Sequence, residues 1–301
     1  MEPMEMRLFC AYLRTRNYSP HTVENYARDL RLFFAPLDKA LQAVSWHDIE
    51  HFIQQQHQAQ LAATTINRRL QAIKHFFEYL VIERQALAIN PVKPSHFLRQ
   101  GRPLPKKLSQ DQVRTLFAQI TNPLDHALYL LILRCGLRVS EVARLRRSDL
   151  DWEQQSLRID QGKGRKDRVV YVSADALAAL RTCLAVRPAA VPGDLLFWNQ
   201  KRTHRALSSK GIQKKMERYA KAAGIKASCH SLRHTFASNL LEEGAEVISI
   251  KELLGHTSMG SSERYAKLSN QRVKQVYLQT IRKVIAKTRV SGRAVAGDGP
   301  R

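Results

Sequence analysis

Apolar residues return every three or four positions through most of residues 1–90, the spacing of amphipathic helices joined by short polar loops. Val23, Tyr26, Leu30 and Phe33 form one such stripe, behind Ser19-Pro20, a capping hydroxyl followed by a proline suited to the first helical position. Ser45 and Asp48 make a variant capping box that opens the next helix, with Ile49, Phe52 and Ile53 facing inward. Ile66, Leu70, Ile73, Phe77 and Leu80 continue the pattern in a further helix. Arg68, Arg69 and Lys74 fall off that stripe, which leaves them for solvent or phosphate. The pattern predicts an all-helical first domain over residues 1–90.

The periodicity stops at residue 91. Pro91, Pro94, Pro103 and Pro105, with Gly101, cannot hold a helix and read as an interdomain linker over 91–107, carrying Lys93, Arg99 and Arg102. These cations face either solvent or a polyanion. A second domain is expected over 108–288. Ser109 and Gln112 box the start of a helix with Val113, Leu116, Phe117 and Ile120 inward. A second helix runs from about Pro123 until Gly136 ends it, and a third from about Ser140 to Arg147. Between Trp152 and Val172 the period changes to two: Leu157 and Ile159 alternate with polar neighbours, and Val169, Val170 and Val172 follow a Gly162-Lys-Gly164 turn. That pattern predicts a small antiparallel sheet with Lys163 at its turn. Helical spacing returns from Ser173, including a helix over 270–288, and 289–301 reads as a disordered tail. The expected class is mainly α with a small antiparallel β-sheet.

Charge changes the picture from fold to partner. The chain of 301 residues carries 49 Lys/Arg against 26 Asp/Glu, a net +23, which points to a polyanion, most simply nucleic acid. Only +3 of that lies in residues 1–100 and +20 in the remainder, so the stronger electrostatic grip is expected in the second domain. Cys10, Cys135, Cys183 and Cys229 have no spacing that suggests zinc, and the first three sit in apolar contexts typical of small buried side chains in a reducing cytosol. No leader peptide is evident after Glu2 and Glu5, and the longest aliphatic run, 127–133, is too short to span a bilayer. The expected location is cytoplasmic, with the nucleoid.

Candidate chemistry lies in the second half. Each residue has an ordinary reading when taken singly. Arg138 follows a helix-ending glycine and has Glu141 three residues on as a local partner; Lys163 is a turn lysine. His230 and Arg233 share a helical face by their spacing of three, near a helix start that Ser228 and Ser231 can cap and where backbone N–H groups favour an anion. His256 follows Leu253-Leu-Gly255, a helix C-terminus, and Tyr265 comes nine residues later. Together they supply cations, a proton donor, imidazoles and a phenol.

In their order and local contexts, Gly136-Leu-Arg-Val-Ser-Glu141, Gly162-Lys-Gly-Arg-Lys-Asp-Arg168, His230-Ser-Leu-Arg-His234, Leu254-Gly-His256 and Arg264-Tyr265, these residues resemble the tyrosine recombinase (phage integrase) family, Xer-like members in particular. The resemblance covers nearly the whole chain. It departs from the family at Ser261-Ser262, where a threonine pair is common, and at Ala266-Lys267, where Thr-His is common. It implies a C-shaped clamp of two domains around DNA and site-specific recombination through a 3′-phosphotyrosine intermediate and a Holliday junction. Tyr265 would be the nucleophile, Arg138 and Arg233 the phosphate-binding cations, His230 and His256 hydrogen-bonding imidazoles, Lys163 the general acid, and Glu141 a support for Arg138. Lys166 and Arg168 join Arg68, Arg69, Lys74, Lys93, Arg99 and Arg102 as expected DNA contacts. No metal, other cofactor or ATP is implied. The implied partners are duplex DNA with paired inverted-repeat sites and a tetramer of recombinase subunits; a helix bearing Val273, Val276, Ile281 and Ile285 either docks on a neighbouring subunit or packs on its own domain. The same chemistry without partner exchange would make a type IB topoisomerase, and the same fold without chemistry a DNA-binding protein.

Overall fold

The computed structural model describes residues 4–100, 107–160, 167–200, 205–255 and 266–288, with side chains from 273 onward in the last stretch. The chain divides into two compact units, Met1–Pro103 and Leu104–Arg301.

The first unit is built from α1 (Met4–Thr15), α2 (Pro20–Phe34), α3 (Trp46–Gln58) and α4 (Ala63–Ile82). The Ser19 hydroxyl accepts from the Thr22 amide and Pro20 occupies the first turn of α2, so the local signal and the observed start coincide. At α3 the Asp48 carboxylate accepts from the Ser45 amide at 2.8 Å. Phe9, Phe33, Phe76 and Phe77 meet in a core closed by Leu30, Ile66, Leu70 and Ile73. Asp29 is wholly buried there, its charge met by Arg68. The expected open linker differs in its first half. Val92 and His96 are buried, and the Asn67 amide both donates to and accepts from the Leu98 backbone at 2.9 Å, so residues 92–98 pack onto the helices. Proline limits this segment to one 3-10 turn, Pro94–His96, without removing it from the core.

The second unit centres on α6 (Pro123–Cys135), buried from Leu124 to Cys135 on every side, its Asp125 met by Lys215 and Tyr219 and its Arg134 by Asp175. Around it lie α5 (Gln110–Ala118), the single turn α7 (Val139–Val142), α8 (Ala174–Ala185), α9 (Ser209–Ala222), α10 (Cys229–Glu242), α11 (Val247–Leu254) and α12 (Ala266–Lys287). α8 and α10 pack directly against α6. The sheet is antiparallel, β1 (Leu150–Asp151), β2 (Ser156–Ile159) and β3 (Arg168–Tyr171), in the order β1-β2-β3. Leu157 pairs with Val170 and Ile159 with Arg168, which places those four residues on one face. The turn with Lys163 and the tail over 289–301 lie outside the described residues.

One element differs from expectation. The helix expected over 140–147 stops at Val142, because the Leu145 carbonyl accepts from the Leu196 amide at 3.0 Å and the Arg147 amide donates to the Asp194 carbonyl at 2.8 Å. Those backbone groups are committed to a neighbouring segment and cannot continue the helix. α12 buries Val273, Tyr277, Ile281 and Val284 against Tyr171, Phe236, Leu240 and Leu253 of its own unit. Of the residues open to either docking or packing on their own domain, Val273 and Ile281 are buried here and Val276 and Ile285 partly so. Arg134, fully buried, donates to the Thr288 carbonyl at 2.8 Å, and Arg114 to the Lys287 carbonyl at 2.6 Å, so two arginines cap the end of α12.

All four cysteines are buried and none is in a disulfide, and burial raises the Cys183 and Cys229 thiols to about 12, as befits packing residues. No helix among the described residues is long and apolar enough to cross a membrane.

Candidate active site

The site begins where α6 ends. Gly136 closes that helix with φ +65°, and a β-carbon there would collide with the Phe236 ring of α10. Only glycine lets the chain turn left-handed against so close a neighbour. The turn delivers Arg138 to the start of α7, where Glu141 folds back onto it. The Glu141 carboxylate accepts from the Arg138 amide and from its Nη1, each at 2.7 Å. A fork held from below in this way loses little freedom on meeting a ligand.

Arg233 comes from the second turn of α10, whose N-terminus is closed by reciprocal Ser228 and Ser231 hydrogen bonds. Its guanidinium is buried and donates to the carbonyls of Gly136 and Leu254, the latter at 2.7 Å. Burial first, then the charges of Arg138 and Arg168, lower its pKa to about 10; it still carries its charge at neutral pH. Arg138 and Arg168 both hold Glu141, and all three guanidiniums hold carbonyls at the end of α11, so they share one neighbourhood.

Their common anchor is the C-terminus of α11. The carbonyl of Leu253 accepts from Arg168 Nε at 3.0 Å, that of Leu254 from Arg233, and that of Gly255 from Arg138 Nη2 at 3.1 Å. A helix C-terminus leaves its last carbonyls without internal partners and carries partial negative charge, so it gathers cations. The sequence reaches His256 at the very next residue. His256, Tyr265 and Lys163 lie outside the described residues.

His230 and Arg233 do not present themselves alike, although their spacing put them on one face. Arg233 turns into the interior, whereas His230 is exposed and its Nε2 lies 2.9 Å from Nε2 of His234. Partial burial, then the proximity of His234 and Arg233, holds the His230 pKa below its ordinary value, so a neutral imidazole able to accept a proton is favoured.

The expected DNA contacts divide. Arg68 is held by the buried Asp29 with 43% of its side chain exposed, and Arg69 donates to Gln56, so neither is simply left to solvent. Lys74 lies 3.5 Å from Glu78, Lys93 sits over the Trp46 ring at 4.2 Å, and Arg99 is exposed. Arg102 and Lys166 lie outside the described residues. Arg168 requires correction. Only 10% of its side chain is exposed, and it grips both oxygens of Glu141, at 2.8 and 2.9 Å. It belongs to the interior of the site. The strand period carried the signal: if Val170 faces inward, so does Arg168 two residues earlier. The role of the three α11 carbonyls left no trace in side-chain identity.

Glu141 is 3% exposed. Burial alone would raise its pKa; the hydrogen bonds and charge of Arg168, then the contacts of Arg138, outweigh that and lower it from 4.5 to about 2. A carboxylate depressed by folding contributes stability above its unfolded pKa and loses it as pH falls through the folded one. Denaturant titrations between pH 4.5 and 2 are therefore expected to show a loss on the order of 3 kcal/mol from this group, by linkage. Glu141→Gln should remove that part of the slope; an unchanged slope would contradict the assignment. Among the described residues, no cluster of three or more His, Cys, Asp or Glu is placed to hold a metal ion.

Residues 106–272 match the Phage integrase family, and residues 6–84 match the phage integrase N-terminal SAM-like domain. The protein named Tyrosine recombinase XerC of Haemophilus ducreyi is 32% identical over 286 residues, covering 91% of this chain and 93% of that protein. The Tyrosine recombinase XerC of Alcanivorax borkumensis is 34% identical over 279 residues, covering 87% and 88%. Among solved structures, the Tn1549 transposon integrase in complex with circular intermediate DNA superposes with a TM-score of 0.70, at 18% identity, over 88% of this chain and 98% of that one. A lambda integrase dimer bound to a COC′ core site gives 0.69 at 18% identity, over 86% and 98%. At that identity the two structures speak for the fold alone.

Proposed function

This chain belongs to the phage integrase family and is a tyrosine-type site-specific recombinase, and from that premise we propose how its residues divide the work. Tyr265 attacks the scissile phosphorus through its phenolic oxygen. The new bond is Tyr265 Oη to phosphorus; the bond that breaks is phosphorus to the 5′ oxygen, leaving a 3′-phosphotyrosine. The phenolic proton passes to His230, and the departing 5′ oxygen takes a proton from Lys163. Arg138 and Arg233 bind the non-bridging oxygens as charge builds on them, with His256 adding a hydrogen bond. Preorganised donors of this kind typically contribute about 3–4 kcal/mol each to the transition state. A 5′-hydroxyl from the other duplex then reverses the reaction, so the covalent step conserves bond energy across the exchange without ATP.

The observation that carries this reading is the α11 C-terminus. Consecutive carbonyls of Leu254 and Gly255 are held by Arg233 and Arg138, and the stretch from His256 to Tyr265 departs from that point. The chain that bears the phenol is thus tethered to the two guanidiniums that would hold its target.

The proposed partners are duplex DNA bearing paired inverted repeats, in the nucleoid of the cytoplasm, and recombinase subunits assembled as a tetramer on two duplexes. The test uses duplexes that the protein itself selects from a random-sequence pool. Two such sites with different labels, incubated with protein and no divalent metal or ATP, are expected to yield recombinant strands joined across labels. Relaxation of supercoiled plasmid without joint products would instead favour a topoisomerase. Binding without a covalent adduct would favour a chemically silent DNA-binding protein.

A further inference from the structure

Arg168 has no role in the scheme above, yet it is the best-anchored cation in the site. It lies at the first position of β3 opposite Ile159, on the inner face of the sheet. Its two terminal nitrogens take the two oxygens of Glu141, and its Nε takes the Leu253 carbonyl. Gly255 leaves the room: a β-carbon there would come within 3.1–3.2 Å of the Arg168 guanidinium. With so little of the side chain exposed, Arg168 is badly placed to hold a phosphate itself.

The charges give it another task. A single carboxylate, Glu141, holds both Arg138 and Arg168, and Arg233 shares the α11 C-terminus with them. With Arg168 present, the carboxylate has its own bidentate counter-ion, and the charges of Arg138 and Arg233 remain for an anion. With Arg168 gone, the buried carboxylate has Arg138 as its one guanidinium partner among these groups. The countercharge would then cancel much of what Arg138 offers to a phosphate, and it would pull the fork toward Glu141.

We propose that Arg168 is a positioning residue for strand cleavage, which, by occupying both oxygens of Glu141, keeps the Arg138 guanidinium oriented and electrostatically available to the scissile phosphate. The inference rests on the function proposed above. It predicts an effect on the chemical step with little effect on DNA affinity, since so little of the Arg168 side chain is exposed to meet DNA.

The test measures covalent adduct formation in a single turnover, using the full chain and a nicked form of the selected duplex. Wild type, Arg168→Gln, Arg168→Lys and the double variant Arg168→Gln with Glu141→Gln are compared, with DNA affinity and a thermal melt for each. Arg168→Gln is expected to cleave roughly 30-fold more slowly, short of the ~100- to 1000-fold typical of losing a donor that touches the reacting group. Arg168→Lys keeps the charge and should lose only part of that. The double variant removes the uncompensated carboxylate and should cleave several-fold faster than Arg168→Gln alone. A purely architectural role would make the double variant as slow as the single one or slower; that result, or a wild-type rate in Arg168→Gln, overturns the inference. If Arg168→Gln does not fold, a folded, DNA-binding Arg168→Lys that forms no adduct overturns it equally. Absence of adduct from wild type would instead sink the function on which it rests.

Discussion

Tyr265→Phe is expected to bind the selected duplex as tightly as wild type and to form no covalent adduct on its nicked form. The substitution removes one oxygen and leaves the ring, so any packing role of the side chain is kept while the only atom that can bond to phosphorus is lost. Affinity comes from elsewhere, chiefly from cations distributed over the second unit, and it should fall steeply with salt in both proteins. The measurement is denaturing electrophoresis of labelled DNA beside a filter-binding titration. A shifted, protein-linked band from Tyr265→Phe would remove Tyr265 from the nucleophile's place.

The second large effect is at Arg233. Arg233→Ala deletes a buried cation and strands the Gly136 and Leu254 carbonyls it serves. Two consequences should appear together. The rate of adduct formation should drop about 1000-fold, the upper range for one transition-state donor. Stability should also fall by about 1–3 kcal/mol, the typical cost of buried polar groups left without partners, read as a lower urea midpoint. Arg233→Lys separates the two. An ammonium restores positive charge but cannot bridge two carbonyls and a phosphate with one planar fork. It should therefore regain part of the stability and little of the rate. A folded Arg233→Ala that cleaves at the wild-type rate would contradict the site as described.

Much of this architecture was legible from residue order. Ser19-Pro20, Ser45 with Asp48, and Ser109 with Gln112 open helices where their capping chemistry says they should. Gly136 ends α6 for a reason visible in sequence, and the β-hairpin announces itself by a change of period. The failures have physical causes. A helix over 140–147 was the reasonable local expectation, but backbone hydrogen bonds to residues 194–196 are decided by tertiary pairing and leave no mark on the local pattern. The prolines after residue 90 excluded an α-helix but not the single 3-10 turn at Pro94–His96, and proline says nothing about burial: Val92 and Leu98 found partners in the helical unit. The sequence marks Arg68 and Arg168 alike as basic; Arg68 keeps 43% of its side chain exposed while paired with Asp29, whereas Arg168 is taken into the interior. Whether a cation meets DNA or a buried carboxylate depends on Asp29 and Glu141, 39 and 27 residues away. Of the candidate site, Arg138, Glu141 and Arg233, which the structure brings together, were legible as residue types. Its scaffold, three carbonyls at one helix end gathering three arginines, was not.

The central claim is that the segment leaving that helix end carries the atom that bonds to DNA. Trapping the protein on a nicked duplex, digesting it, and sequencing the DNA-linked peptide by mass spectrometry tests this most directly. The account predicts one linked peptide, modified at Tyr265 and joined to a 3′-phosphate. Linkage through another side chain, or to a 5′-phosphate, would contradict it.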